Sequence, residues 1–321
     1  MKIIATLCVP LLALALGGCA PEAPPPPAPP PAPDGLANGS FTAELNGFTI
    51  HYEVHGRGPA LMVLPNSWGL SIQGLRNLLG PLEQKLTLVY FDPRGMGGSG
   101  PIVEDADMGM AAVRADFNAL HAHLGLERVD AIGWSNGAMN LILLAAEHPE
   151  TIDNAVFVHG AASFTEEDMA AMAARYPEMI AKWAAFQQEM ASNAELTDEE
   201  RTAAMRSLWL EDWVPLSTAD PEGSAVMFER LFGDAEFSWK HADYSDRESP
   251  TFDARDRLPL ITARSLVIAG AHDMFPPEKV QELADGIANS EFAVFAESGH
   301  FAPAEETEAF TSAVWRFLGV E

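Results

Sequence analysis

The sequence predicts an α/β fold, a mostly parallel eight-stranded sheet flanked by helices and interrupted by a helical insertion. Three observations carry this. Strand-length apolar runs alternate with helix-length runs from residue 40 to 163. From 164 to 258 the strand signals stop and the pattern becomes helical. Strand and helix patterns then return over 259–321. Strands separated by helices need crossover connections, so they run parallel. Two separate domains would leave the late strands without a sheet to join.

Each element has a local cause. Residues 41–45 and 48–54 alternate apolar and polar side chains around Asn46-Gly47, the signature of a hairpin. The β-rich runs 60–64, 86–91, 129–134 and 155–158 follow. Helical patterns at 71–84, 108–124 and 136–148 separate them. The insertion reads as helices at 166–190, 198–210 and 224–232. Strands at 265–269 and 291–295, with helices at 277–287 and 305–318, close the fold.

Gly133-Trp134-Ser135-Asn136-Gly137 stands where a strand run meets a helical run. That is the context of a GxSxG nucleophile elbow, in which a sharp turn lifts the serine hydroxyl above the sheet. The following helix turns its positive end toward developing negative charge. Ser135 is the expected nucleophile. An acid and then a histidine should follow at later strand ends. Asp273, after the strand at 265–269, fits the acid that accepts the imidazole Nδ1 hydrogen bond. His300, after the strand at 291–295, fits the general base, with Gly299 before it letting the ring turn back. The other eight histidines lie too early, in helical runs, in the insertion, or beside the acid. Backbone donors for an oxyanion are expected from Asn136 and from the loop after the third strand, Pro65-Asn66-Ser67-Trp68-Gly69, with Ser67 N–H as the positional choice and Trp68 its neighbour.

Composition excludes several classes. A chain of 321 residues with 48% hydrophobic content can bury a full core. A formal charge of -27 repels nucleic acid, so no nucleic-acid partner is expected. HExxH, GxxxxGK[ST] and paired-cysteine spacings do not occur, so neither metal nor nucleotide cofactor is implied.

The first 18 residues read as an export signal, with Lys2 ahead of an apolar run too short for a comfortable transmembrane helix. Leu16-Gly17-Gly18-Cys19 resembles the lipobox of bacterial lipoproteins, which implies a lipidated Cys19. Residues 19–39 continue as a proline-rich, extended spacer. The expected protein is therefore exported and membrane-anchored through lipid alone. The only other cysteine, Cys8, lies in the signal, so the folded part has no thiol to form a disulfide.

The elbow, the Asp273 and His300 segments, and Phe91-Asp92-Pro93-Arg94-Gly95-Met96-Gly97-Gly98-Ser99-Gly100 together resemble the α/β-hydrolase superfamily over about 41–318. The resemblance implies the α/β-hydrolase fold with 40–163 and 259–321 as core and 164–258 as cap. The DPRGxGxS run and the helical cap are similar to proline iminopeptidases and related capped esterases. PNSWG stands where iminopeptidases have an HGGPG-like loop, and GWSNG where they commonly have GGSWG. Asp92 and Arg94 are expected to brace their loop by pairing with each other. The insertion holds 21 acidic residues against nine Lys and Arg, and four of the seven tryptophans, Trp183, Trp209, Trp213 and Trp239. Its aromatic and Met side chains suit an apolar chamber over Ser135, while an acid such as Glu211 or Asp212 reads first as a solvated helix face.

The expected activity is hydrolysis of a small ester, lactone or amide through an acyl-enzyme. The resemblance adds an aminopeptidase for N-terminal proline as an alternative, with a small molecule or short peptide as substrate. A ligand-binding lipoprotein with a vestigial triad is the reading from another class.

Overall fold

The structure, a computed structural model, describes residues 36–248 and 252–320. The signal, Cys19 and most of the proline-rich spacer lie outside the described residues. Strands β1 (Gly39–Leu45) and β2 (Phe48–Gly56) form the expected hairpin, paired from Gly39↔Val54 to Leu45↔Phe48. Next come β3 (Ala60–Leu64), helix α1 (Ile72–Leu79) with a 3₁₀ turn, and β4 (Thr87–Phe91). Helix α2 (Met110–His123), β5 (Val129–Trp134), α3 (Asn136–Glu147) and β6 (Ile152–Val158) complete the first half.

The short strands β7 (Ser163–Phe164) and β8 (Phe252–Asp253) pair antiparallel and join the entry of the helical insertion to its exit. Residues 164–258 therefore do not lack strand altogether, as the sequence suggested. A two-residue strand is too short to show a period. Between them lie α4 (Glu166–Arg175), α5 (Pro177–Ser192), α6 (Asp198–Leu208), a π-helical turn at Trp209–Trp213, α7 (Val214–Leu216), α8 (Ser224–Phe232) and α9 (Trp239–Glu248). The helix expected over 166–190 is broken at Tyr176, whose ψ of 59° leaves the helical region. Pro177 is the cause: its ring disfavours helical geometry in the preceding residue while suiting the first turn of the next helix. Thr165 with Asp168 and Thr197 with Glu200 form capping boxes that start α4 and α6. Helix α9 has no counterpart in the sequence reading.

The chain returns to the main sheet with β9 (Arg264–Gly270), α10 (Pro277–Gly286), β10 (Ser290–Phe295), α11 (Ala302–Glu305) and α12 (Thr307–Leu318). The eight strands lie in the order β1-β2-β4-β3-β5-β6-β9-β10. Pairs β1–β2 and β2–β4 are antiparallel; the others are parallel. Along β3, Met62 and Leu64 pack with α2, α3 and α10 on one face, whereas Leu61 and Val63 pack with α1, α8 and α12 on the other. This period of two sets the layers. Strands β5, β6, β9 and β10 are successive neighbours in the parallel part of the sheet, and their C-terminal ends share one edge, where a ligand site of an open α/β sheet forms. Among the described residues no helix is long and apolar enough to cross a membrane.

Candidate functional site

Ser135 joins β5 to α3 with φ 55° and ψ −123°, a strained conformation for a residue with a side chain. The turn is secured on both sides. Its N–H donates to Val158 O at 2.8 Å, and its carbonyl accepts from Ala138 N at 2.9 Å. A side chain at Gly133 would begin 2.3 Å from Gly137 O, so only glycine fits there.

Asp273 follows β9 and His300 follows β10, and both are almost wholly buried. The structure brings them together: His300 Nδ1 stands 2.8 Å from Asp273 Oδ2, while Phe275 N–H donates to Asp273 Oδ1 at 3.1 Å. His300 is fixed to its surroundings through its backbone. Its N–H donates to Ser217 O in the insertion at 2.6 Å, and its carbonyl accepts from Trp134 Nε1 at 2.8 Å. Trp134, the residue before Ser135, also places its ring 5.3 Å from the His300 ring. Nε2 of His300 is buried and has no hydrogen-bond partner among the described residues, so the Ser135 hydroxyl is not bonded to it here. Gly299 has a different reason from the one expected. A Cβ there would lie 2.1 Å from Ser217 O, so the glycine allows the insertion to close on the loop.

A second imidazole reaches the same carboxylate. His159, just after β6, holds Nδ1 3.1 Å from Asp273 Oδ2, although not in line for a full hydrogen bond. Burial alone would raise the Asp273 pKa, but His300 and His159 outweigh it and hold the carboxylate well below its ordinary range. Burial wins at His159, whose pKa is lowered despite Asp273. Side-chain atoms of His159, Asp273 and His300 lie within 4.8 Å of one another, close enough to hold a cation, and Asp273 is the group on which both rings converge.

The expected oxyanion loop is arranged otherwise. Ser67 N–H donates to Asn136 Oδ1 at 2.7 Å, and its hydroxyl donates to the same oxygen at 2.9 Å. Ser67 is fully buried, and its amide is engaged rather than free for a substrate oxygen. Its neighbour Trp68 faces the cavity instead. Asn136 is the first residue of α3 and lines the cavity.

That cavity, about 550 Å³, lies over Ser135. Met139, Met169, Met172, Met179 and Met274 line it together with Trp68, Trp183, Trp209 and Trp213. Three carboxylates also reach it. Asp212 is bridged by Lys182 and Asp243 by Arg247, whereas Asp246 receives a hydrogen bond from Gln187. Burial, aided by Asp243 and opposed by Gln187, pushes Asp246 up to about 7. Glu211 accepts from Ser207 Oγ and does not line the cavity.

Comparison with known proteins decides the family. The model of the alpha/beta hydrolase fold family matches residues 60–307, most of the chain. The chain belongs to that family. This member of the alpha/beta hydrolase fold family is similar to the serine hydrolase BPHL of Mus musculus, 34% identical over 153 residues, 47% of this chain and 51% of the mouse protein. The chain thus spans about half the length of the mouse and human BPHL proteins it matches. It is also similar to the 2-hydroxy-6-oxo-6-phenylhexa-2,4-dienoate hydrolase of Comamonas testosteroni, 26% identical over 86% of this chain and 93% of the other. A proline iminopeptidase of Lactobacillus helveticus is more distant, 22% identical over 85% of this chain and 95% of the other. Among solved structures, an alpha/beta fold family hydrolase from Bacillus anthracis str. Sterne superposes with a TM-score of 0.72 at 20% identity, covering 87% of this chain and 99% of the other.

Two further contacts correct the sequence reading. Arg94 does not pair with Asp92. Its guanidinium meets Asp116 at 2.8 Å and Asp107 at 2.7 Å, all three being buried. Asp92 instead accepts from Ile72 N, Gly98 N and His51 Nδ1. The two side chains stand two residues apart, and tertiary contacts give each its own partners. His159 precedes the acid in the chain, which chain order alone sets outside the triad. Its position at the end of a central strand, next to the elbow strand, was the signal available.

Proposed function

We infer that the enzyme is a serine hydrolase that cleaves a small ester, lactone or amide through an acyl-enzyme. Ser135 attacks the substrate carbonyl, His300 takes its proton and later returns it to the leaving group, and Asp273 stabilises the imidazolium. Water then releases the acyl group by the same route. The observation that carries this reading is the strained Ser135 at the floor of the chamber with the buried His300–Asp273 pair on the adjoining strand ends. The reading requires the Ser135 hydroxyl to turn onto the unpartnered Nε2 when substrate excludes water, a tightening common to catalytic hydrogen bonds. Asn136 N–H, at the positive end of α3, would receive the oxyanion. Methionines and tryptophans favour a substrate with a bulky apolar group, since flexible thioethers adapt to varied shapes.

Fluorophosphonate labelling tests the reading. Label on Ser135, lost in Ser135→Ala together with ester turnover, supports it; a folded wild-type protein that takes no label sinks it. An aminopeptidase reading rests on Asp246, a carboxylate of the chamber whose hydrogen bond comes from a neutral amide. It expects a proline anilide to be cleaved in preference to a neutral ester, and equal neglect of proline, alanine and blocked anilides removes it. Cys19 is proposed as the site of lipid attachment, and incorporation of labelled palmitate lost in Cys19→Ala is the corresponding test.

A further inference from the structure

The reaction just described uses one of the two imidazoles on Asp273. His159 is the other. It follows the last residue of β6 with φ 54°, a left-handed conformation that a ring-bearing residue adopts at a cost. Its N–H donates to Ile268 O at 2.9 Å, which holds the residue between β6 and β9. Its side chain has no exposure to solvent, and its ring centroid lies 5.2 Å from that of His300.

The hydrogen bonds assign its tautomer. Ala302 N–H donates to Nε2 of His159 at 3.3 Å, so that nitrogen carries no proton in the neutral ring. The single ring proton is then on Nδ1, which lies 3.1 Å from Asp273 Oδ2. His300 Nδ1 meets the same oxygen at 2.8 Å. One carboxylate oxygen therefore faces two ring N–H groups, at 3.1 and 2.8 Å. Burial favours the neutral form of His159 that this arrangement needs.

We propose that His159 is a positioning residue of the hydrolase, holding the Asp273 carboxylate by an Nδ1–H donor and sharing the charge that Asp273 offers to His300. The proposal rests on the reading in which Ser135, His300 and Asp273 carry out acyl transfer. Sharing has a direction. An oxygen already facing one N–H has less attraction left for a second, so loss of the His159 donor is expected to move the acidic limb of kcat/KM upward. The charged groups facing this cluster are few. Glu305 of α11, which accepts from the Ala219, Gly299 and Phe301 N–H groups, is close enough to feel the Asp273 charge. Trp134, Trp213 and Phe275 contribute uncharged rings around His300.

The test compares wild type, His159→Leu and His159→Asn by kcat, KM and the pH profile of kcat/KM with p-nitrophenyl butyrate. Leucine keeps the apolar bulk and removes the donor. It should lower kcat about tenfold at unchanged KM, the scale of one hydrogen bond to a charged group, and move the acidic limb upward by about one pH unit. Asparagine tolerates left-handed backbone and offers an amide N–H near the Nδ1 position, so it should restore the limb and most of kcat. Should the leucine variant fail to fold, His159→Gly removes the donor and relieves the backbone, with the same shift expected. A limb that stays at its wild-type position, or asparagine as impaired as leucine, shows packing alone and overturns the proposal while leaving the acyl-enzyme reading intact. Wild-type protein without turnover or fluorophosphonate label removes both.

Discussion

Asn136 Oδ1 accepts from both the N–H and the hydroxyl of Ser67, at 2.7 and 2.9 Å, tying the first residue of α3 to the loop after β3. Asn140 Nδ2 adds a contact to the same oxygen at 3.3 Å. The side chain beside the elbow thus positions the neighbouring loop, and the residue itself lines the chamber. Asn136→Ala leaves two buried Ser67 donors without that acceptor, at a cost of about 1–3 kcal/mol. Urea denaturation should show the loss, with kcat for a p-nitrophenyl ester falling more than KM rises.

Asp273→Asn keeps the shape of the carboxylate and removes its charge. If Asp273 orients and stabilises His300, kcat should fall by about 10⁴-fold with KM little altered. Steady-state kinetics measures this, and a variant within tenfold of wild type excludes the role.

Gly133→Ala places a Cβ 2.3 Å from Gly137 O, a backbone atom that cannot turn away. The elbow must open or the helix must move. Soluble yield and thermal melting should both drop, and any folded fraction should lose fluorophosphonate labelling.

Arg94→Met leaves Asp107 and Asp116 buried without their cation. Removing one partner of such a network costs about 3–5 kcal/mol, more than the intact pairs contribute. Chemical denaturation measures it. The double change of Arg94→Met with Asp116→Leu should recover part of the loss, because it also removes an uncompensated charge.

Asp246 gives a pH dependence of defined sign. Its folded pKa, about 7, lies above the ordinary 3.8, so the folded state retains a proton that the unfolded chain releases. Below about pH 4 both states are protonated and there is no penalty. Stability attributable to this group then declines as pH rises to about 7, and stays level above it. Asp246→Asn cannot ionise. The difference in melting temperature between the variant and wild type should therefore grow in the variant's favour from pH 4 to 7 and then remain constant.

What the sequence determined by itself was local and periodic. Alternation in the hairpin and short β-rich runs elsewhere marked the eight main-sheet strands to within three residues at either end, as with 155–158 against Ile152–Val158. The GxSxG string between strand and helix located the Ser135 turn, and chain order singled out Asp273 and His300, which the fold joins at 2.8 Å. Tertiary structure decided the rest. Ser67 and Asn136 are 69 residues apart, and nothing near either shows that the loop amide is held by a side chain of α3. Arg94 finds Asp116 on α2, and His159 reaches Asp273 only because β6 and β9 are neighbours in the sheet. Periodicity records which face of an element is buried; which loop ends meet depends on strand order and register, set by the whole chain collapsing at once.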